Sequence, residues 1–210
     1  MMIASAWPMI SIITDATLAV GAYDVLPYNT FSSKVESKTC EVLDGIICSA
    51  ALKWFLDGDP KIDNKARYPV FMSNIPSGAG YREFVHYAQL MHSDGFKRYD
   101  YGANENVVKY GQATPPDYKL DQINFPLGIF GGSKDVLADP KDVAWFHSQV
   151  QDHTYFYKGD YDLDHNSFAS AINMDFFTKD AMAVINHFNN KCDESTFDSN
   201  FVEGNMKCQD

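Results

Sequence analysis

A short apolar run that stops on two glycines constrains the fold of this chain more than any other feature. Phe125-Pro126-Leu127-Gly128-Ile129-Phe130 is followed at once by Gly131-Gly132, which reads as a buried strand reaching a tight turn. Asp139-Pro140 comes next, an N-cap residue with proline at the first helical position, and predicts a helix through Val150. Residues 153–157 alternate as a second strand, and residues 158–166 read as a loop. A final helix carries Phe168, Ile172, Phe176, Phe177, Met182, Val184 and Ile185. Strand, helix, strand, helix is a parallel α/β unit, because a helical crossover returns the second strand beside the first in the same direction.

The sequence ahead of this unit has a different texture. Residues 32–57 follow a helical pattern that Asp57-Gly58-Asp59-Pro60 stops, and residues 77–96 form a second amphipathic stretch. Residues 98–118 are rich in Tyr, Gly, Asn and Pro and read as irregular connection. After Asn189 the chain is polar and reads as a loosely ordered tail.

Several function classes fall away on bulk properties. With 45% hydrophobic and 21% charged residues the chain has the makings of a packed core rather than of a disordered segment. A net charge of -11 without any cluster of Lys and Arg opposes nucleic-acid binding. No apolar run reaches the roughly 18 residues of a transmembrane segment. The apolar N-terminal stretch lacks a basic leader and is interrupted by Asp15, so it makes no credible signal peptide. Cys40 and Cys48 lie close together, as do Cys192 and Cys208; local disulfides and free thiols are both open readings. No C-x-x-C occurs to suggest zinc.

Chemistry gathers where the two strands end. In an open parallel sheet, functional groups collect beyond the carboxyl ends of the strands. Asp135 follows the first strand, His165 follows the second, and 30 positions (165 − 135) separate them, room for one helical crossover. An Asp beside a His fixes the imidazole tautomer and stabilises the imidazolium as the His takes a proton from a nucleophile. The order acid then His is that of the hydrolases whose serine comes earlier still. Asp135 as a plain turn cap is the competing reading. Asp160, Asp162 and Asp164 resemble the start of a calcium loop, but His165 stands where Gly belongs and Ala171 where Glu belongs.

The nucleophile is missing from this pattern. No G-x-S-x-G elbow occurs anywhere in the 210 residues. Ser77 has no Gly two positions before it, and Ser133 has Asp135 where the second Gly should be.

The chain resembles one family from about Gly21 to about Phe188. Gly21-Ala22-Tyr23-Asp24-Val25-Leu26-Pro27, the stretch from Arg67 to Ser73 with Pro76-Ser77-Gly78, and His86-Tyr87-Ala88-Gln89 are similar to ordered motifs of the gastric and lysosomal acid lipases. So are Tyr99-Asp100-Tyr101-Gly102 and Pro115-Pro116-x-Tyr118. Gly131-Gly132-Ser133-Lys134-Asp135-Val136-Leu137-Ala138-Asp139-Pro140 looks like the family's acid-bearing turn, and Asp164-His165-Asn166-Ser167-Phe168 occupies the place of its His-Leu-Asp-Phe. Asn74 departs from the family's His, and Ala79-Gly80 from its Thr-Ser.

The resemblance implies a partial α/β-hydrolase fold: a helical cap over residues 21–120, the C-terminal strands and helices of the parallel sheet over 121–190, a remnant strand within 1–20 and a polar tail over 191–210. It implies that Asp135 and His165 are the acid and base of a triad, and that Cys40 and Cys48 are partners in a lid disulfide. It further implies hydrolysis of triacylglycerols or sterol esters without metal or cofactor, a neutral lipid ester as partner, and a secreted or lysosome-like location. With the serine absent, the expectation is the C-terminal half of such a lipase, inactive by itself and completed by an N-terminal half. Two alternatives stay open: a non-catalytic descendant whose cap binds lipid or protein, and a neighbouring hydrolase with an unrecognised nucleophile.

Overall fold

The computed structural model describes residues 24–25, 34–35, 37–40, 48, 61–75 and 77–189. The expected strand remnant in residues 1–20, most of the helical stretch 32–57 and the tail with Cys192 and Cys208 lie outside the described residues. In chain order the elements are β1 (Asp24–Val25), α1 (Tyr68–Met72), β2 (Ala79–Gly80), α2 (Tyr81–Met91) and α3 (Ala103–Tyr110). Then come β3 (Leu127–Gly132), α4 (Pro140–Gln149), β4 (Thr154–Tyr161), α5 (Ser167–Ser170), a π-helical turn (Phe176–Ala181) and α6 (Met182–Phe188). The chain divides into two compact units, one of residues 1–34 with 73–119 and the other of residues 35–72 with 120–210.

In the first unit, β1 pairs antiparallel with β2. The Gly80 N–H donates to Glu83 Oε2 at 3.0 Å and so caps the start of α2. Residues 98–118, read from composition as irregular, contain the helix α3, and Asp117 among them forms an antiparallel bridge with Lys97. The polar residues that suggested a loop supply the hydrogen bonds that hold it. Asn106 is fully buried, its Nδ2 donating to Asp100 Oδ1 at 2.7 Å and to the Ala113 carbonyl at 3.0 Å, while its Oδ1 accepts from the Tyr101 N–H at 3.0 Å. Gly102 enters α3 at φ 86, a conformation that residues with a Cβ seldom adopt.

The second unit holds the α/β pattern. β3 and β4 pair in parallel, with Gly128 opposite Phe156, Ile129 opposite Tyr157 and Gly132 opposite Tyr161, and α4 packs on both strands. Asp139 caps α4 as expected, its Oδ1 accepting from the Lys141 N–H at 2.8 Å with Pro140 at the first helical position. β3 starts at Leu127 and runs through the glycine pair instead of stopping before it. The ladder therefore carries β4 on to Tyr161, past the expected end at Tyr157. Lys158 and Asp160 look like loop residues by polarity, but strand pairing is made by the backbone.

The expected single helix from Phe168 to Ile185 is broken. Ala171, at ψ 151, leaves the helical conformation after α5 and forms an antiparallel bridge with Asp63. The Ile172 N–H donates to the Ile62 carbonyl at 2.8 Å and the Asn64 N–H to the Ser170 carbonyl at 2.7 Å. Backbone groups that would have continued the helix are spent on this segment instead. Tyr161, Leu163 and Ala171 form a buried cluster beside it, with Ile62, Phe130, Phe168, Met174 and Phe176 packed around them.

Candidate active site

Two adjacent turns build the site, one after β3 and one after β4. They are stitched together by main-chain bonds: Ser133 N–H to the Tyr161 carbonyl at 2.8 Å and Lys134 N–H to the Leu163 carbonyl at 3.2 Å. The Ser133 hydroxyl also donates to the Tyr161 carbonyl at 3.0 Å, and Lys134 Nζ reaches Asp162 at 2.7 Å across the exposed rim. Such close approach depends on Gly132. A Cβ there would strike the Leu163 carbonyl oxygen and stand 3.0 Å from the Phe168 ring. Glycine at the end of β3 is what allows the turn bearing residue 165 to lie against the turn bearing residue 135.

Asp135 is 4% exposed and its two oxygens have separate tasks. Oδ1 accepts the N–H groups of Leu137 and Ala138 at 2.9 and 2.7 Å. The turn-cap reading of this residue is thus satisfied by one oxygen alone. Oδ2 lies 3.1 Å from His165 Nδ1. Because a carboxylate only accepts, Nδ1 is the donor in this contact, and in the neutral imidazole that tautomer leaves the lone pair on Nε2. The His165 side chain is 46% exposed, so the imidazole stands with its inner edge on a buried acid and its body open to solvent. An imidazole held in this tautomer can take a proton from a hydroxyl at Nε2.

The other acidic residues of the loop diverge. Asp162 serves Lys134, and Asp164 turns inward to accept from the Ser167 N–H at 2.9 Å and to meet the Ser167 hydroxyl at 2.8 Å. Among the described residues no group of three His, Cys, Asp or Glu side chains is placed to hold a metal ion. In the same unit, Cys40 and Cys48 are joined in a disulfide with their Cα atoms 5.5 Å apart.

Comparison with known proteins bears on what this arrangement descends from. No family model matches the chain. It is 36% identical over 139 residues to the Homo sapiens protein called lipase member J, covering 65% of this chain and 38% of that one. Against gastric triacylglycerol lipase of Rattus norvegicus it is 35% identical over 130 residues, 60% of this chain and 33% of the relative. Against gastric triacylglycerol lipase of Homo sapiens the figures are 35% over 121 residues, 56% and 30%. The chain belongs to the acid lipase family. It spans about a third of the length of these curated relatives.

The acid-lipase-like stretches occupy informative places. Tyr68, inside the Arg67 to Ser73 stretch, is fully buried. Gln89 clasps the backbone of Asp100 from both sides, Nε2 donating to its carbonyl and Oε1 accepting its N–H, each at 2.9 Å. Two separate stretches named in the sequence are thereby tied within one unit. Sequence reasoning missed a buried polar group around Asp63, which touches Tyr68, Asn166 and Ser167. Asn166 and Ser167 were in view as neighbours of His165, but nothing in the local sequence points to a partner 103 and 104 positions away.

Proposed function

We propose that this chain supplies the acid and base of a serine ester hydrolase acting on neutral lipid esters. The observation that carries the reading is the 3.1 Å contact between His165 Nδ1 and the buried carboxylate of Asp135, at the ends of two adjacent parallel strands. Membership of the acid lipase family supports ester hydrolysis as the chemistry, and the relatives named gastric triacylglycerol lipase support triacylglycerol as the substrate class. In this reading the parallel pair and its helices are the C-terminal part of an α/β-hydrolase core, and residues 21–120 contribute a cap.

The chemistry follows from the tautomer. His165 Nε2 accepts the proton of a serine hydroxyl as that oxygen attacks the ester carbonyl. The resulting imidazolium gives the proton to the departing alcohol, which leaves an acyl-enzyme for water to hydrolyse by the same route. Asp135 stays ionised throughout and holds Nδ1–H. The serine is contributed from outside the 210 residues, which contain no G-x-S-x-G elbow.

The test has two arms. The chain alone is expected to give no covalent labelling with a fluorophosphonate probe; a labelled serine overturns the external-nucleophile reading. Joined to the elbow-bearing portion of a gastric lipase relative, it is expected to hydrolyse a triacylglycerol emulsion, and H165A should lower the rate by about a thousandfold or more, as loss of a triad member does. A chimera whose turnover ignores H165A refutes the assignment.

A further inference from the structure

His165 sits on a turn whose neighbours point the other way. Asp164, Asn166 and Ser167 are each 3% exposed or less, although the residue among them is half exposed. All three belong to one buried polar cluster. At its centre is Asp63, itself 2% exposed. Asp63 Oδ1 accepts from the Ser167 hydroxyl at 2.7 Å, and Oδ2 accepts from Asn166 Nδ2 at 3.1 Å and from the Tyr68 hydroxyl at 3.0 Å. Ser167 Oγ also lies 2.8 Å from Asp164 Oδ1, so one hydroxyl stands between the carboxyl groups of Asp63 and Asp164. Asn166 Nδ2 continues to Ser170 Oγ at 2.7 Å.

Asp63 is fixed by its own backbone, not by the loop it holds. The bridge to Ala171 and the bonds Asn64 N–H to Ser170 and Ile172 N–H to Ile62 lock its segment against the end of α5. A buried carboxylate is costly without donors, and the donors here come from two residues on the carboxyl side of His165 and one tyrosine. Any rotation of the 164–167 turn therefore strips hydrogen bonds from a buried carboxyl group. That penalty selects a single orientation of the turn, in which residue 165 faces Asp135.

We propose that Asp63 is a positioning residue for His165: it clamps Asn166 and Ser167 so that the imidazole keeps its bond to Asp135. The inference rests on the reading of Asp135 and His165 as acid and base. Its readout is a property of the imidazole that loss of stability alone would not move.

The experiment uses the full 210-residue chain with 15N-labelled histidine. The His165 Nδ1–H resonance, bonded to Asp135, is expected downfield and slow to exchange. D63A should lower the fraction of molecules showing it by about tenfold, as removal of a buried hydrogen-bond acceptor implies. D63N keeps an acceptor for Asn166 or Tyr68 and a donor for Ser167, and should retain most of the signal. G128A, which crowds the side chains of Phe130 and Val184 instead, is the control for a packing change elsewhere in the same unit and should leave the resonance in place. If D63A does not fold, S167A, which removes the hydroxyl shared by Asp63 and Asp164, carries the test with the same expected loss. A resonance in D63A, or in S167A, as strong as in G128A overturns the positioning role while leaving the Asp135–His165 pair standing. A missing resonance in the unsubstituted chain removes the pair itself, and the proposed function falls with it.

Discussion

Adding one methyl group at Gly132 tests the claim that close approach of two turns assembles the site. An ideal Cβ at this position meets the backbone oxygen of Leu163 and lies 3.0 Å from a carbon of the Phe168 ring. The first obstacle is backbone, so no side-chain rotation relieves it. The end of β3 and the turn after β4 must move apart. Overpacking of this kind costs about 1–3 kcal/mol. Separation also weakens the bonds from Ser133 to Tyr161 and from Lys134 to Leu163, each worth about 1 kcal/mol net. G132A should therefore lose roughly 2–5 kcal/mol, a large part of the ~5–15 kcal/mol that holds a domain of this kind. Urea unfolding reads it as a midpoint lower by about 1–2.5 M for a slope near 2 kcal/mol/M. The contrasting substitution in the same strand is G128A, whose Cβ would meet the Phe130 ring at 3.2 Å and Val184 at 3.5 Å, side chains that can yield. G132A should also shift the His165 imidazole resonances, and G128A should not. A G132A protein that unfolds at the wild-type urea concentration with His165 unshifted refutes the reasoning.

The Asp135 oxygens can be separated by substitution. D135N keeps an acceptor for the Leu137 and Ala138 amides and should cost less than about 1.5 kcal/mol, whereas D135A strands both and should cost about 2–5 kcal/mol; both should release the His165 tautomer, measured by 15N shifts. Acid sensitivity has a nameable source in His147, whose ring stacks on Tyr157 at 3.8 Å and whose Nε2 is buried without a hydrogen-bond partner among the described residues. Burial holds its pKa below the ordinary 6.5, so the folded state resists protonation and stability falls as pH drops through 6.5 toward the folded value. H147F should flatten that part of the stability–pH curve, and an unchanged curve would remove His147 as the cause. Reduction of the Cys40–Cys48 disulfide, which spans eight positions, should lower stability by about 2–3 kcal/mol in denaturant titration. K134A removes an ion pair with partners 45% and 79% exposed and should change the urea midpoint by less than the equivalent of ~1 kcal/mol.

The sequence by itself determined the α/β unit and the pair at its edge. An apolar run before a glycine pair, a proline-led helix and a second alternating run leave one natural arrangement, and β3, α4 and β4 follow it. Local chemistry sufficed because strand, cap and crossover signals are each written within a few residues. The lengths of the elements were decided by tertiary structure. Lys158 and Asp160 joined β4 because β3 continued beside them, and the helix after Ser170 ended because Ala171 found a partner in Asp63. Residues 98–118 concealed α3 for a related reason, since the partners that satisfy the buried Asn106 side chain, Asp100, Tyr101 and Ala113, are brought to it by the fold. Asp135 and His165 were legible as a pair through placement at two strand ends. Their 3.1 Å contact, the split of tasks between the two Asp135 oxygens and the clamp from Asp63 were not. Those depend on which backbones approach closely enough to touch, and Gly132 gives the physical reason: the lack of a side chain matters only once another chain segment arrives where one would have been.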